Sequence, residues 1–355
     1  MNKIVDHSKK FITSKVPRRK KRGINDDAKV TRITNETVAE AREDVLSGAR
    51  KIIYPLTHSK HRVVITSTVI VLTAIIAFTS YMLVSLYRNK STSDFSYQVS
   101  QIIPFPVAKV GGSFVAYENY LFELKRYIYY YNNVENIDFN DAKYKPQLDD
   151  QKKKILQRVV DQTYIRQIAK KNNITVSDEE IDSRITILKN QNRLGNNDKV
   201  FEDTLRDFYN WSENDFRRSI RNDILTSKVL AIIDTDARSK ANTALEEVKK
   251  GTDFAVVAST YSDDLQTKDL GGEIPGYIDP QDRNAQSEQA DILGKLKVGE
   301  TSEIINLGYG FEILKKLEDK DGTYHAAHII VSFKPIEEAL NEEKANNKTT
   351  VYIHL

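Results

Sequence analysis

An uncharged run of 25 residues constrains this chain more than any other feature of its sequence. The run extends from Val63 to Tyr87 and reads VVITSTVIVLTAIIAFTSYMLVSLY. A helix rises about 1.5 Å per residue, so the run is long enough to cross a hydrocarbon layer of about 30 Å. A core helix of a soluble protein would carry a polar stripe, whereas the polar residues here are Thr, Ser and Tyr, which membrane helices accept. The sequence therefore predicts one transmembrane helix over residues 63–87.

The charges on either side of this run predict its orientation. Residues 1–62 hold 16 Lys/Arg against 7 Asp/Glu, a net charge of +9, whereas the rest of the chain has a net charge of −6. The positive-inside rule then places the N-terminus in the cytoplasm and the C-terminal part outside it. A basic tail could hold nucleic acid, but beside an apolar span retention and attraction to anionic lipid are favoured. The span is too long and begins too late for a cleaved signal, so we expect a single-pass anchor in the cell membrane and no nucleic-acid partner.

Cysteine and histidine content excludes several kinds of site. The chain has no cysteine, and none of its six histidines falls between residues 62 and 324. Disulfides, thiolate catalysis and thiolate metal sites are therefore excluded, and a histidine-rich metal cluster has no place in that long interval. We expect no metal and no cofactor.

Composition and periodicity divide the chain into segments and predict the α+β fold class. The predicted segments are a basic, largely disordered tail (1–62) with an amphipathic helix in residues 36–54, the span (63–87), a linker (88–106), a mostly helical module (107–234), an α+β domain (235–332) and a helix-and-strand extension (333–355). Apolar spacing and Ser caps predict helices at 113–132, 152–172, 177–190 and 212–233.

Two regions of the sequence resemble a known family. Residues 251–264, GTDFAVVASTYSDD, followed by GGEI at 271–274, resemble the parvulin signature G-x-D-F-x-x-x-A-x-x-x-S-x-D and G-G-x-L. The resemblance continues through LKVGETS at 296–302 and GYGFEIL at 308–314. Upstream, ITVSDEEI at 174–181 resembles a turn in the N-terminal module of SurA- and PrsA-type foldases. Together the resemblance covers about residues 107 to 331.

This resemblance implies an activity and a set of site residues. It implies PpiC-type peptidyl-prolyl cis/trans isomerisation together with binding of unfolded or nascent exported polypeptides. Asp264 occupies the position of the family's Cys or Asp, and Glu312 replaces its terminal-strand histidine. Candidates for substrate binding are Ile278, Ile292, Leu293, Tyr309 and Phe311.

The family's first-strand histidine has no counterpart before Asp236, but a later segment resembles that strand. Residues 324–331 read YHAAHIIV, and Asp321-Gly322 before them is a hairpin-turn signal. We therefore hypothesise a permuted domain in which residues 324–332 fill the first-strand position beside strand 312–317. His328 would then join Asp264 and Glu312 as a catalytic candidate, and the C-terminal extension would complete the same sheet.

Alternatives remain open at the level of the sequence. The parvulin-like domain could be a catalytically degenerate holdase or adaptor, because Glu312 replaces a histidine and the family's pocket phenylalanine is absent before Leu296. A structural membrane protein with a cytoplasmic partner is a third possibility. Asp264 could be only a loop cap, and the tyrosines between 127 and 131 could bind clients or form a helix packing face. Partners expected are polypeptides and the lipid bilayer, and the oligomeric state is left open.

Overall fold

The computed structural model describes residues 34–53, 59–190, 197–281 and 287–355. It divides into two units, residues 1–78 and 79–355. The first unit contains helix α1 (Asn35–Ile53) and most of helix α2 (Ser59–Leu83). Disorder predicted for the start of the tail falls on residues 1–33, which lie outside the described residues. One helix among those described, His61–Arg88, is long and apolar enough to cross a membrane by length and composition.

The second unit is mostly helical with two small antiparallel sheets, so the predicted fold class is confirmed. Its helices are α3 (Asp94–Ile102), α4 (Tyr117–Asn133), α5 (Lys145–Lys171), α6 (Asp178–Asn190), α7 (Asp198–Tyr209), α8 (Glu213–Ile233), α9 (Thr235–Lys249), α10 (Phe254–Tyr261), α11 (Ser287–Lys295), α12 (Ile336–Ala339) and α13 (Asn341–Asn346). Its strands are β1 (Pro106–Val110), β2 (Ser113–Ala116), β3 (Ile305–Asn306), β4 (Gly310–Lys320), β5 (Thr323–Ser332) and β6 (Thr349–Val351).

Local capping explains where several helices begin. Ser212 accepts a hydrogen bond from the backbone of Asp215, whose carboxylate accepts one in return, and this capping box starts α8 where the sequence predicted. Ser177 starts α6 through the same exchange with Glu180. The helix predicted from Ser113 begins four residues later, because residues 113–116 pair with β1 as strand β2. Helix α5, in contrast, begins earlier than its predicted start at residue 152, at Lys145.

The C-terminal extension does not complete the parvulin-like sheet, and that prediction is wrong. Strand β6 pairs antiparallel with β1, with Ala108 opposite Val351, in a sheet of order β2-β1-β6. Leu340 and Ile353 are buried in the same apolar core as β1, α4 and α5. The chain therefore leaves the helical module after α8 and returns to it after β5. Asp234 links the two chain segments that connect the module to the second sheet. Its carboxylate caps α9 and accepts the backbone N–H of Lys334 at 2.7 Å.

The predicted linker over residues 88–106 is also wrong, because this segment is structured. It contains α3, which packs against α4, and the first residue of β1. The apolar run before it continues into the same core, where Met82 and Leu86 are fully buried. A π-helical turn, Val84–Arg88, lies between α2 and α3.

The second sheet, of order β3-β4-β5, carries the candidate site. One face of its hairpin packs on α9 and α10 through Phe311, Ile313 and Ile329. The other face packs through Leu314 and Ala326 on an apolar cluster that includes Leu293 of α11. Side chains alternate between the two faces of a strand, so Glu312 and His328 share the face of Leu314.

Candidate active site on the β4–β5 hairpin

Strand β5 brings a histidine beside two carboxylates that are distant in sequence. In the β4–β5 register, His328 lies opposite Leu314, and Glu312 lies opposite Ile330. His328 Nδ1 is 2.9 Å from Glu312 Oε1, and His328 Nε2 is 2.9 Å from Asp264 Oδ2. The structure thus brings together all three residues that the sequence nominated as catalytic. Their catalytic role stays a prediction.

The S-x-D portion of the signature positions Asp264 by attaching its loop to β5. Ser262 is fully buried, and its hydroxyl oxygen accepts the backbone N–H groups of Ile330 and Asp264. The backbone N–H of Asp263 donates to the carbonyl of Ile330 at 2.6 Å. Asp264 also caps its own turn, because Oδ1 accepts the backbone N–H of Gln266 at 3.1 Å. The loop-cap and site interpretations of Asp264 are therefore compatible.

The hydrogen-bond partners of His328 indicate that its ring is protonated. Both ring nitrogens face carboxylate oxygens, which only accept hydrogen bonds, so both nitrogens must donate. Burial alone would lower the pKa of His328, but the hydrogen bonds to Glu312 and Asp264 outweigh it and hold that pKa above its ordinary value of 6.5. Burial opposes ionisation of Asp264, yet bonds from Thr267, the Gln266 backbone and His328 lower its pKa below 3.8. The arrangement therefore favours an imidazolium held between the carboxyl groups of Asp264 and Glu312.

This raised pKa predicts how stability depends on pH. A histidine whose folded pKa exceeds its unfolded pKa stabilises the folded state fully below the unfolded value of 6.5, and this contribution is lost as pH rises through the folded pKa. We expect the difference in unfolding free energy between wild type and His328→Gln to shrink on going from mildly acid to alkaline pH in urea titrations. Burial raises the pKa of Asp223 to about 6, so the stability that its protonated form contributes is lost as pH rises through about 6. This loss is the same in wild type and variant and cancels in the difference. A difference that stays constant with pH would contradict the imidazolium assignment.

The five predicted substrate-binding residues do not lie together. Ile278 and Leu293 are buried in the apolar cluster beneath the site, and Ile292 is half-buried beside them. Tyr309 is 60% exposed, and its pKa is raised by partial burial and, to a smaller extent, by the charges of Glu312 and Asp264. Phe311 is on the opposite face of β4, where its ring packs on Phe333 with centroids 4.9 Å apart. Strand alternation therefore removes Phe311 from the face that carries His328.

Three further residues belong to the site but were not predicted. The Thr267 hydroxyl donates to Asp264 Oδ2 at 2.5 Å and lies 3.0 Å from His328 Nε2. Gln289 Nε2 donates to Glu312 Oε1 at 2.5 Å. Leu265 exposes 84% of its surface directly beside Asp264, so it offers apolar contact to a ligand. Only Leu265 had a sequence signal, namely an apolar residue in a polar loop.

Gly272 of the G-G pair allows a loop to approach β5 closely. Its carbonyl accepts the backbone N–H of His328 at 2.7 Å, its φ is +81°, and a Cβ there would lie 2.3 Å from the His328 carbonyl oxygen. That distance is too short for any Cβ contact, so the loop or β5 would have to move.

We expect Gly272→Ala to lower the free energy of unfolding by about 2 to 4 kcal/mol, through left-handed backbone strain plus overpacking. Gly276→Ala is a matched control, because Gly276 has φ +84° and open space around its Cβ position. It should lose only about 1 to 2 kcal/mol. If urea unfolding showed the same loss of unfolding free energy in both variants, the close approach of Gly272 to His328 would make no contribution to stability.

Comparison with known proteins agrees with this architecture. A family described as the SurA-like N-terminal domain matches residues 57–230, and the PPIC-type PPIase domain matches residues 230–318. The second match ends before β5, so His328 lies outside it.

Named relatives carry the same two descriptions. Foldase protein PrsA of Caldanaerobacter subterraneus subsp. tengcongensis is 27% identical over 205 residues, which cover 52% of this chain and 62% of that protein. Foldase protein PrsA 3 of Bacillus cereus is 28% identical over 165 residues, 41% of this chain and 56% of that protein. Chaperone SurA of Methylococcus capsulatus is 34% identical over 125 residues, 32% of this chain and 24% of that protein. The chain thus spans about three-fifths or less of the length of these curated relatives. The chain therefore contains a segment similar to the SurA-like N-terminal domain, followed by one similar to the PPIC-type PPIase domain, in proteins named as foldases and chaperones.

Proposed function

We propose that this chain is a membrane-tethered, extracytoplasmic peptidyl-prolyl cis/trans isomerase and chaperone that assists the folding of exported proteins. The observation that carries the proposal is the position of His328 between Asp264 and Glu312, on the sheet of a PPIC-type domain. The names of the foldase and chaperone relatives support it.

The chemistry asks little of the side chains. An X-Pro bond rotates over a barrier of about 20 kcal/mol because amide resonance must be broken. A catalyst has only to hold the proline, remove water from the imide and favour its twisted form. No covalent step is required.

The site supplies suitable groups for these tasks. Among Asp264, Glu312 and His328, only Asp264 has a side chain that is appreciably exposed, at 22%. Its carboxylate can therefore face the carbonyl carbon or nitrogen of a twisting imide. His328 and Thr267 fix the orientation of that carboxylate. Leu265 and Tyr309 provide exposed apolar surface for the proline ring and its neighbours.

The helical module supports the chaperone half of the proposal. A groove of about 580 Å³ opens between α3, α4 and the end of α7. Its lining includes three half-buried aromatic side chains, Tyr97, Tyr129 and Tyr209, above Phe122 and Trp211, which are buried and stack on each other. Aromatic rings offer large contact area to unrelated apolar segments. The neighbouring Tyr127 ring stacks on Phe139, and the Tyr131 ring packs at a tilt against both, so part of the tyrosine run packs within the module.

The tether rests on the uncharged helix and the charge bias of the sequence. Helix α2 is long and apolar enough to span a bilayer. The basic residues of the tail favour a cytoplasmic N-terminus, which places residues after the span on the other side.

The function is tested on the full chain in lipid nanodiscs, by NMR exchange spectroscopy on a short proline peptide and by light scattering of an unfolded client. Asp264→Ala should lower the isomerisation rate, whereas Asp269→Ala, an exposed carboxylate five residues away, should not. Both variants should still suppress aggregation, because the groove is untouched. A wild type that suppresses aggregation without accelerating exchange would refute the isomerase and favour the holdase alternative, which the replacement of a family histidine by Glu312 supports.

A further inference from the structure

Helix α3 buries its small polar residues and exposes its large apolar ones. Ser96 and Ser100 are 1% and 2% exposed, whereas Phe95 and Ile102 are 49% and 82% exposed. The buried hydroxyls are satisfied, since Ser96 contacts the Ser85 and Ser93 hydroxyls and Ser100 donates to a backbone carbonyl. In water, burying a large apolar side chain contributes about 1.5 to 3 kcal/mol, so this distribution is the reverse of what an aqueous surface favours.

The exposed residues of α3 form a stripe. Phe95, Val99 and Ile102 are spaced i, i+4 and i+7, which places them on one side of the helix, and Ile103 extends the stripe. Val99 is half-buried and joins this stripe to the core. The only charged residue within α3, Asp94, forms an ion pair with Lys125 at its N-terminal end.

The stripe is continuous with the end of the uncharged run. The rings of Tyr81 and Phe95 have centroids 6.5 Å apart. Tyr81, Leu83 and Val84 are 60%, 45% and 48% exposed, so the apolar surface passes from the last turns of the run onto α3. Among the described residues, no other part of the chain covers these side chains of α3 and of the end of the uncharged run.

We infer that α3 lies in the headgroup–acyl boundary of the bilayer, with Phe95 and Ile102 inserted toward the acyl chains. This inference rests on the tether of the proposed function. The bilayer is the occupant that continuity indicates, because the apolar surface begins on the predicted span itself and Tyr81 and Phe95 form the kind of aromatic pair that membrane interfaces favour. Arg88, exposed between the two segments, is placed to meet lipid phosphates.

Interfacial placement has a consequence for clients. The opposite side of α3 contributes Tyr97 and Gln101 to the aromatic groove. A helix that contacts lipid on one side and lines the groove on the other holds the groove at the membrane surface. Polypeptides leaving the bilayer would then meet the groove before they meet bulk water.

The absence of cysteine allows a direct test with single nitroxide labels on the full chain. Phe95→Cys and Ile102→Cys are the test positions, Val69→Cys reports on the span, and Val298→Cys, 59% exposed in the PPIase domain, reports on water. The labelled chains are reconstituted in phosphatidylcholine vesicles containing a minor fraction of phosphatidylglycerol. Collision rates with oxygen, which concentrates in lipid, and with a nickel chelate, which stays in water, are measured by EPR. Circular dichroism checks that each variant keeps the wild-type helix content.

We expect the oxygen-to-nickel ratio at residues 95 and 102 to be several-fold above that at residue 298 and below that at residue 69. A lipid-like ratio at 69 with water-like ratios at 95 and 102 would overturn the inference and leave the tether intact. A water-like ratio at 69 would overturn the tether and the inference together. Protection of residues 95 and 102 from both reagents would mean that protein covers the stripe, and would also overturn the inference.

Discussion

Replacing His328 by alanine is expected to lower kcat/KM for proline isomerisation by about tenfold to a hundredfold, which is about 1.4 to 2.7 kcal/mol of transition-state stabilisation. The His328 imidazolium orients the Asp264 carboxylate together with Thr267, and alanine removes both the charge of His328 and its hydrogen bonds. The measurement is NMR exchange on a proline peptide with the chain in nanodiscs.

His325→Ala is the matched control for this prediction. His325 is on the same strand, but its ring contacts Glu273 and Tyr277 and is not bonded to Asp264 or Glu312. Its activity should stay within about twofold of wild type, a difference of only about 0.4 kcal/mol. Equal losses in the two variants would place the effect in the strand and not in the site.

Replacing Glu312 by alanine is expected to lower the free energy of unfolding by about 3 to 5 kcal/mol, because it removes one partner of a buried ion pair. Glu312 is fully buried, and the bonds from His328 and Gln289 both end on its Oε1 atom. The variant leaves these two donors without their acceptor and opens a cavity beside Leu314. Urea unfolding of the chain in detergent measures the loss.

Two variants show what Glu312 contributes. Glu312→Gln keeps the shape and an acceptor oxygen but removes the charge, so the pKa of His328 should fall while most of the stability is retained. Glu303→Ala removes a carboxylate that is 79% exposed and paired with Lys249, and should change stability by less than about 1 kcal/mol. If Glu312→Ala lost no more unfolding free energy than Glu303→Ala, the buried pair of Glu312 and His328 would not stabilise the fold.

Local sequence signals predicted much of the fold because they are read over a few residues. The Ser177 and Ser212 caps each have an acid three residues later, and this pattern alone fixes where α6 and α8 begin. Likewise the Asp321-Gly322 turn and two alternating runs indicate the β4–β5 hairpin.

The wrong predictions have a common physical cause: the structure of these segments depends on residues that are distant in sequence. Residues 349–351 read as a strand, but nothing local states that the strand pairs with β1 more than 230 residues away. Residues 88–106 look like a linker because α3 buries serines and exposes Phe95 and Ile102.

The site shows the same division between local and distant information. Asp264, Glu312 and His328 could be nominated because each occupies, or replaces, a position in a motif. Thr267 and Gln289 could not, because a Thr or Gln becomes part of a site only when folding places it against a carboxylate. Phe311 was nominated beside Glu312, yet strand alternation turns it to the opposite face of the sheet.

The central claim is that a complete isomerase site is assembled around His328, on a strand that follows the segment matching the PPIC-type domain. Its most direct test is the cis/trans exchange rate of a proline peptide with the wild-type chain in nanodiscs, compared with empty nanodiscs. The account predicts exchange that rises in proportion to the concentration of the chain. An exchange rate equal to that of the peptide alone at every concentration would contradict it.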